Sequence, residues 1–101
     1  MSINAPYAYQ YETVAASQTQ VMGGTGATGD YLHRLIISVN TVATSTVSIV
    51  DGSTSTTILT GAATLVPGIL SIELNMRSNT GAWSITTGAG ATAIAVGIFS
   101  A

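Results

Sequence analysis

The sequence predicts an all-β protein, folded as a single antiparallel β-sandwich domain over residues 13–101 behind an extended N-terminal arm over residues 1–12. Three observations carry that expectation. Short runs rich in Val, Ile and Thr recur between clusters of Gly, Asn, Asp and Ser, the spacing of strands and turns in a two-sheet sandwich. Several of these runs alternate apolar with polar residues, the period of a strand with one buried face. A chain of 101 residues also has room for one core only.

In chain order, the arm stands apart first. Tyr7, Tyr9 and Tyr11 alternate with Ala8 and Gln10 after Pro6, so an extended backbone sets the three rings on one side. Such an arm either packs on its own domain or reaches a neighbouring subunit or surface, where tyrosine offers large contact area with a polar tip. A first strand is expected over 13–22 and a second over 31–42. In the second, Leu32, Leu35, Ile36 and Val39 also satisfy the helical i, i+3, i+4, i+7 template, but the β-branched Ile36, Ile37, Val39, Thr41 and Val42 favour a strand. Residues 46–50 alternate Val47 and Ile49 with Ser48, then turn at Asp51-Gly52, a hairpin signal because glycine tolerates positive φ. Residues 56–59 return. The clearest strand is 69–76, with Leu70, Ile72, Leu74 and Met76 facing the core against Ser71, Glu73 and Asn75. Strands over 83–87 and 92–99 complete the set.

Composition narrows the function. Only 6% of residues are charged against 47% apolar, so the surface is built from hydroxyls, amides, glycine and alanine. Neutral hydroxyls cost far less to dehydrate than ions, and edge strands here lack the lysines that ordinarily guard them. Both features point to a surface covered in an assembly. A net charge of −2, with Arg34 and Arg77 as the only basic side chains and 43 positions apart, argues against nucleic acid as a partner. The absence of cysteine removes disulfides and thiolate metal sites and fits folding in a reducing cytoplasm. The opening Met1-Ser2-Ile3-Asn4-Ala5-Pro6 lacks the basic flank and apolar stretch of a signal peptide. The longest apolar run, 93–99, is far short of the ~20 residues of a membrane-spanning helix, so no membrane partner is expected.

Few residues could carry chemistry. Gly24-Thr25-Gly26-Ala27-Thr28-Gly29 matches G-x-G-x-x-G, with Asp51 about 20 residues on, but a strand follows the glycines where dinucleotide binding needs a helix N-terminus. A glycine-rich connection is expected, without a cofactor. His33 is the sole histidine. Asp30 lies three positions away, on the opposite face of a strand, so a solvated, hydrogen-bonded or interface histidine is favoured over a catalytic one. Isolated carboxylates and one histidine do not make a metal site, and no catalytic residue is assigned. Arg34 and Arg77 are candidates for pairing with Glu73, Asp30 or Asp51, within the subunit or across an interface. Trp83 is either a core anchor or a sugar-stacking platform. Interface candidates are therefore Tyr7, Tyr9, Tyr11, Arg34 and Arg77.

The stretch Gly26-Ala27-Thr28-Gly29-Asp30-Tyr31-Leu32, with Arg34-Leu35-Ile36, Asp51-Gly52, Met76-Arg77-Ser78, Gly81-Ala82-Trp83 and Thr86-Thr87-Gly88-Ala89, resembles small structural proteins of tailed bacteriophages over residues 17–101. The resemblance implies a jelly-roll-like sandwich in the virion. It further implies a capsid cement or decoration protein, sitting as a homotrimer on the major capsid protein. The competing expectation is a tail-fibre or adhesin module that binds cell-surface carbohydrate through Trp83 or Tyr31.

Overall fold

In a computed structural model, which describes residues 9–60 and 67–100, eight strands form two four-stranded antiparallel sheets. The strands are β1 Gln10–Val14, β2 Thr19–Val21, β3 Tyr31–Val39, β4 Val47–Asp51, β5 Thr54–Leu59, β6 Gly68–Arg77, β7 Trp83–Thr87 and β8 Ala91–Ile98. One sheet has the order β1-β8-β3-β6 and the other β2-β7-β4-β5. Along the chain, β1 pairs with β8, β2 with β7, β3 with β6 and β4 with β5. This nested pairing is a hairpin rolled into two layers, the jelly roll.

The core lies between the layers. Val14, Leu32, Leu35, Ile37 and Val39 from the first sheet meet Val47, Ile49, Trp83 and Ile85 from the second, with Met22, Leu59 and Phe99 at the margins. Strand β8 fills its inner positions with Ala91, Ala93, Ala95 and Gly97, all buried, and turns Thr92, Ile94, Val96 and Ile98 outward. Small residues at the centre of the sandwich let the layers approach, while the larger apolar side chains of this strand lie outside. At Gly97 a Cβ would collide with the Tyr31 carbonyl, so no other residue fits there.

Three boundaries differ from those read in the sequence. The strand expected over 13–22 is two strands in different sheets, because the chain turns at Ala16 and Ser17, where Ser17 takes φ +57. β1 begins at Gln10, so residues 10–12 of the expected arm lie within the sandwich. Gln10 accepts the Phe99 N–H at 2.7 Å, and the Glu12 carboxylate accepts from the Gln20 amide and the Gly23 N–H. The strand expected to run to Val42 ends at Val39, and a 3-10 turn spans Val42–Thr44. The Asp51-Gly52 signal holds: Asp51 and Thr54 close a two-residue hairpin in which Gly52 has φ +61.

Two aspartates fasten the loops. Asp30 is 8% exposed. Its carboxylate accepts the N–H groups of Ala27 and Ser100, both at 2.9 Å, and the Ser100 hydroxyl at 2.8 Å. Its carbonyl accepts the Trp83 indole N–H at 2.9 Å and the Ser78 N–H at 3.0 Å. Burial pushes the Asp30 carboxyl up, but the Ser100 and Ala27 donors outweigh it and hold the group below the ordinary carboxylate range. Asp51 accepts the N–H groups of Thr80, Asn79 and Gly81, which lower its carboxyl in the same way.

A folded-state value below the unfolded one makes each aspartate stabilising above its ordinary value near ~4, and that stability is lost as pH falls through the folded value. Thermal melts should therefore give a flat Tm above about pH 5 and a steep fall below about pH 4. Asp30→Asn should have a lower plateau and a weaker acid slope, and an unchanged slope would contradict the assignment. Deleting residues 1–12 removes three residues of β1 with the Gln10 and Glu12 contacts. It should lower Tm by circular dichroism even without any partner present.

Candidate functional site

Antiparallel neighbours directly opposite one another share a face, so the registers lay out the outer surface of the β1-β8-β3-β6 sheet row by row. One row reads Thr13, Ile94, Ile36, Ser71; the next reads Tyr11, Val96, Arg34, Glu73. Ile98, Tyr31 and Arg77 form a third, and Thr92, Ser38 and Ile69 a fourth. The face is apolar at its centre, with Ile36, Ile94 and Val96 half-buried. Tyr11 is 70% exposed and Ile69 74% exposed at its margins.

At one corner the ladder is irregular. Between the same two rungs, β8 advances one residue, Gly97 to Val96, while β3 advances two, Leu32 to Arg34, and β6 three, Met76 to Glu73. The slip puts His33 and Arg34 on the outer face together, and Asn75 adopts φ +52. Bulges re-aim side chains in this way.

His33, Tyr31 and Asn75 then converge. Tyr31 donates its phenol O–H to Asn75 Oδ1 at 2.6 Å, and His33 Nδ1 lies 2.8 Å from the same oxygen. That oxygen can only accept, so the ring presents Nδ1–H to it. Burial first, then the Tyr9 phenol and the Glu73 carboxylate, hold the Tyr31 phenol above its ordinary value, which keeps it a donor. The Tyr9 ring stacks on His33 with centroids 4.5 Å apart and an interplanar angle of 14°. The corner thus offers an aromatic face, the Asn75 amide donors and an imidazole edge.

Of the residues expected at an interface, Tyr9, Tyr11, Arg34 and Arg77 all stand on this one sheet face, and Tyr7 lies outside the described residues. Arg34 donates to Ser71 Oγ at 2.9 Å and approaches Glu73 at 4.0 Å, an exposed pair of small energetic weight. Asp30 and Asp51, the other expected arginine partners, are occupied by backbone donors instead. Trp83 is 3% exposed and bonded to Asp30. It is a core anchor, and its use as a sugar-stacking platform is ruled out by burial. The glycine stretch 24–29 leads into β3 and not into a helix, which removes the dinucleotide reading. Asp30 points inward and His33 outward, so they form no catalytic pair. Among the described residues no group of three His, Cys, Asp or Glu could hold a metal ion, and no helix is long and apolar enough to cross a membrane.

The opposite outer face has another character. Thr19, Thr86, Ser48 and Thr57 make one row across all four strands of the β2-β7-β4-β5 sheet. Thr19 bonds Thr86 at 3.0 Å, and Ser48 bonds Thr57 at 3.3 Å. Sequence reading missed two features: this hydroxyl row and the apolar centre of the other sheet. The alternation of Ala93, Ala95 and Gly97 with Ile94, Val96 and Ile98 carried the signal for the second. It requires recognising that the small residues are the buried ones.

Comparison with known proteins finds no matching family model, no matching curated protein and no matching solved structure.

The left-handed backbone at Asn75 costs a β-branched residue about 1–2 kcal/mol. Asn75→Val should lose at least that much stability by denaturant unfolding. Asn75→Gly should stay near wild type in stability while freeing His33, seen as a shift of the imidazole resonances in NMR. Equal stability of the two variants would contradict the assigned backbone.

Proposed function

We propose that this chain is a structural protein of a bacteriophage virion, a capsid cement or decoration module that stabilises the head by bridging neighbouring major capsid subunits. The single observation that supports this reading best is the outer face of the β1-β8-β3-β6 sheet, apolar through Ile36, Ile94 and Val96 and flanked by Tyr9 and Tyr11. Soluble monomers rarely leave a contiguous apolar face open to water. Covering it contributes ~25 cal/mol per Å² of apolar area, and Tyr11 supplies a large, stiff contact with a polar end. Weak contacts repeated over many copies act together through multivalency. The placement in a virion comes from the resemblance of residues 17–101 to tailed-phage structural proteins.

The mechanism asks for no group transfer. The sheet presents its outer face to the shell, the apolar centre excludes water, and Arg34, Glu73 and Arg77 at the rim set orientation by charge. The hydroxyl-rich sheet then faces away. A second reading, an adhesin module for surface carbohydrate, is favoured by one observation: the Tyr9–His33 stack beside the Asn75 amide.

Particles assembled without this chain should lose heat resistance and recover it when the chain is added back. Ile94→Lys and Val96→Lys lie on the outer face, so the double variant should remain folded by circular dichroism and bind particles at least ~10-fold more weakly, about 1.4 kcal/mol. Unchanged heat resistance, or unchanged binding by the double variant, would overturn the cement reading. Retention on a glycan array that is lost with Asn75→Ala would favour the adhesin instead.

A further inference from the structure

We propose that β6 is a dimerisation edge, pairing antiparallel with β6 of a second copy of this chain about a two-fold axis at Ile72. The four edge strands are not equivalent. β2 has three residues, β1 has five, and β5 has six, of which four are the hydroxyl residues Thr54, Ser55, Thr56 and Thr57. β6 has ten residues, Gly68–Arg77, and is bonded on one side to β3 while no described strand pairs with the other. It carries no lysine, no proline and no charged side chain on its inward face, and the one device against edge pairing it does carry is the bulge at Leu74 and Asn75 towards its C-terminal end.

Its inward face is also incompletely covered. Ile72, Leu74 and Met76 pack on the core yet remain half-buried, and Leu70 is 36% exposed. Where β6 faces β5 the layers part around a cavity of about 200 Å³, lined by the apolar Ile49, Met76 and Trp83 and by the polar Asp51, Arg77 and Asn79. An added strand on β6 would satisfy the free backbone groups and cover these apolar side chains. Water does the first and not the second.

Charge selects both the occupant and the register. Two copies of β6 overlap over nine residues if the axis lies at Ile72 or at Glu73. An axis at Glu73 sets that carboxylate against its own copy, and like charges directly opposite are destabilising. An axis at Ile72 sets Glu73 opposite Ser71, Leu70 opposite Leu74, and Ile72 opposite itself. The inward side chains then form one apolar stripe through both protomers, and each sheet of four becomes half of a sheet of eight. The contact is isologous and closes at two copies. The proposal does not depend on a virion, because it concerns the free protein.

The test uses Ser71, an exposed outward residue opposite the partner's Glu73 at two equivalent places in the dimer. Sedimentation equilibrium of the full chain should give a dimer. Ser71→Glu should weaken it and Ser71→Lys strengthen it, each by roughly three- to tenfold for two cross-strand charge pairs. Because the chain has no cysteine, Ile72→Cys should oxidise to a disulfide-linked dimer, while Glu73→Cys should cross-link much less. Circular dichroism and the Trp83 fluorescence of each variant report whether it is folded. A monomer or trimer, equal dimer affinity for the two Ser71 variants, or preferential cross-linking through Glu73→Cys would overturn the proposal. A dimer that fails to bind phage particles would leave the edge pairing standing and count against the cement reading alone.

Discussion

The Asp30 residue holds together segments that are far apart in sequence. Its carboxylate takes Ala27 in the glycine-rich connection and Ser100 after the last strand, while its carbonyl takes Ser78 and the Trp83 indole. Charge-assisted hydrogen bonds of this kind contribute more than neutral ones, and each donor left behind in a buried site is costly. The loop between β2 and β3 and the tail of β8 meet at this side chain, and the segment entering β7 meets its main-chain carbonyl. One tryptophan therefore fixes the end of the sandwich because its ring packs in the core while its N–H is satisfied by a main-chain oxygen. Removing the carboxylate would release the glycine-rich loop and the tail of β8 together, which is why this one residue is central to the fold.

The two outer surfaces differ in the groups they present. On the β2-β7-β4-β5 sheet, Thr19 bonds Thr86 and Ser48 bonds Thr57 across strands, so hydroxyls meet water and still support the sheet. On the β1-β8-β3-β6 sheet, Ile94, Val96 and Ile98 point outward because Ala91, Ala93, Ala95 and Gly97 occupy the inside of β8. Close approach of the layers demands small residues within, and the strand's apolar bulk is left on the outer face. A protein this poor in charge presents a face dominated by hydroxyls on one side, and concentrates its rare arginines on the other.

Much of this architecture was legible in the sequence. Alternation in 69–76, the Asp51-Gly52 turn and the β-branched run after Tyr31 gave strands close to those observed, since period and turn chemistry are local. Local signals also failed where tertiary demands took over. Ala15 to Gln18 contain no Pro or Gly, so nothing marked the turn that sends β1 and β2 into different layers; Ser17 takes the left-handed conformation because the sandwich has to be crossed there. The tyrosine alternation placed Tyr9 and Tyr11 on one side correctly, but Gln10 and Glu12 between them bind the domain, which only the folded contacts disclose. The His33–Asn75 cluster was not legible at all. It depends on successive slips in register across three strands, and each slip is a property of the pairing and not of any one residue.

The nested pairing has a kinetic consequence. The β1-β8 ladder joins the two strands most distant in the chain, so loop closure is at its most demanding for the contact that completes the first sheet. During synthesis β1 would wait for β8, and the edge of β3 that pairs with β8 would be open until that strand emerged. The hairpin of β4 and β5, joined by a two-residue turn, needs no such delay and is the natural starting point. Folding would proceed outward from the middle of the sequence, with the outermost pair last. The same rolled-up connectivity that brings the first and last strands side by side leaves the longest-range ladder to form last, the kind of contact that slows folding.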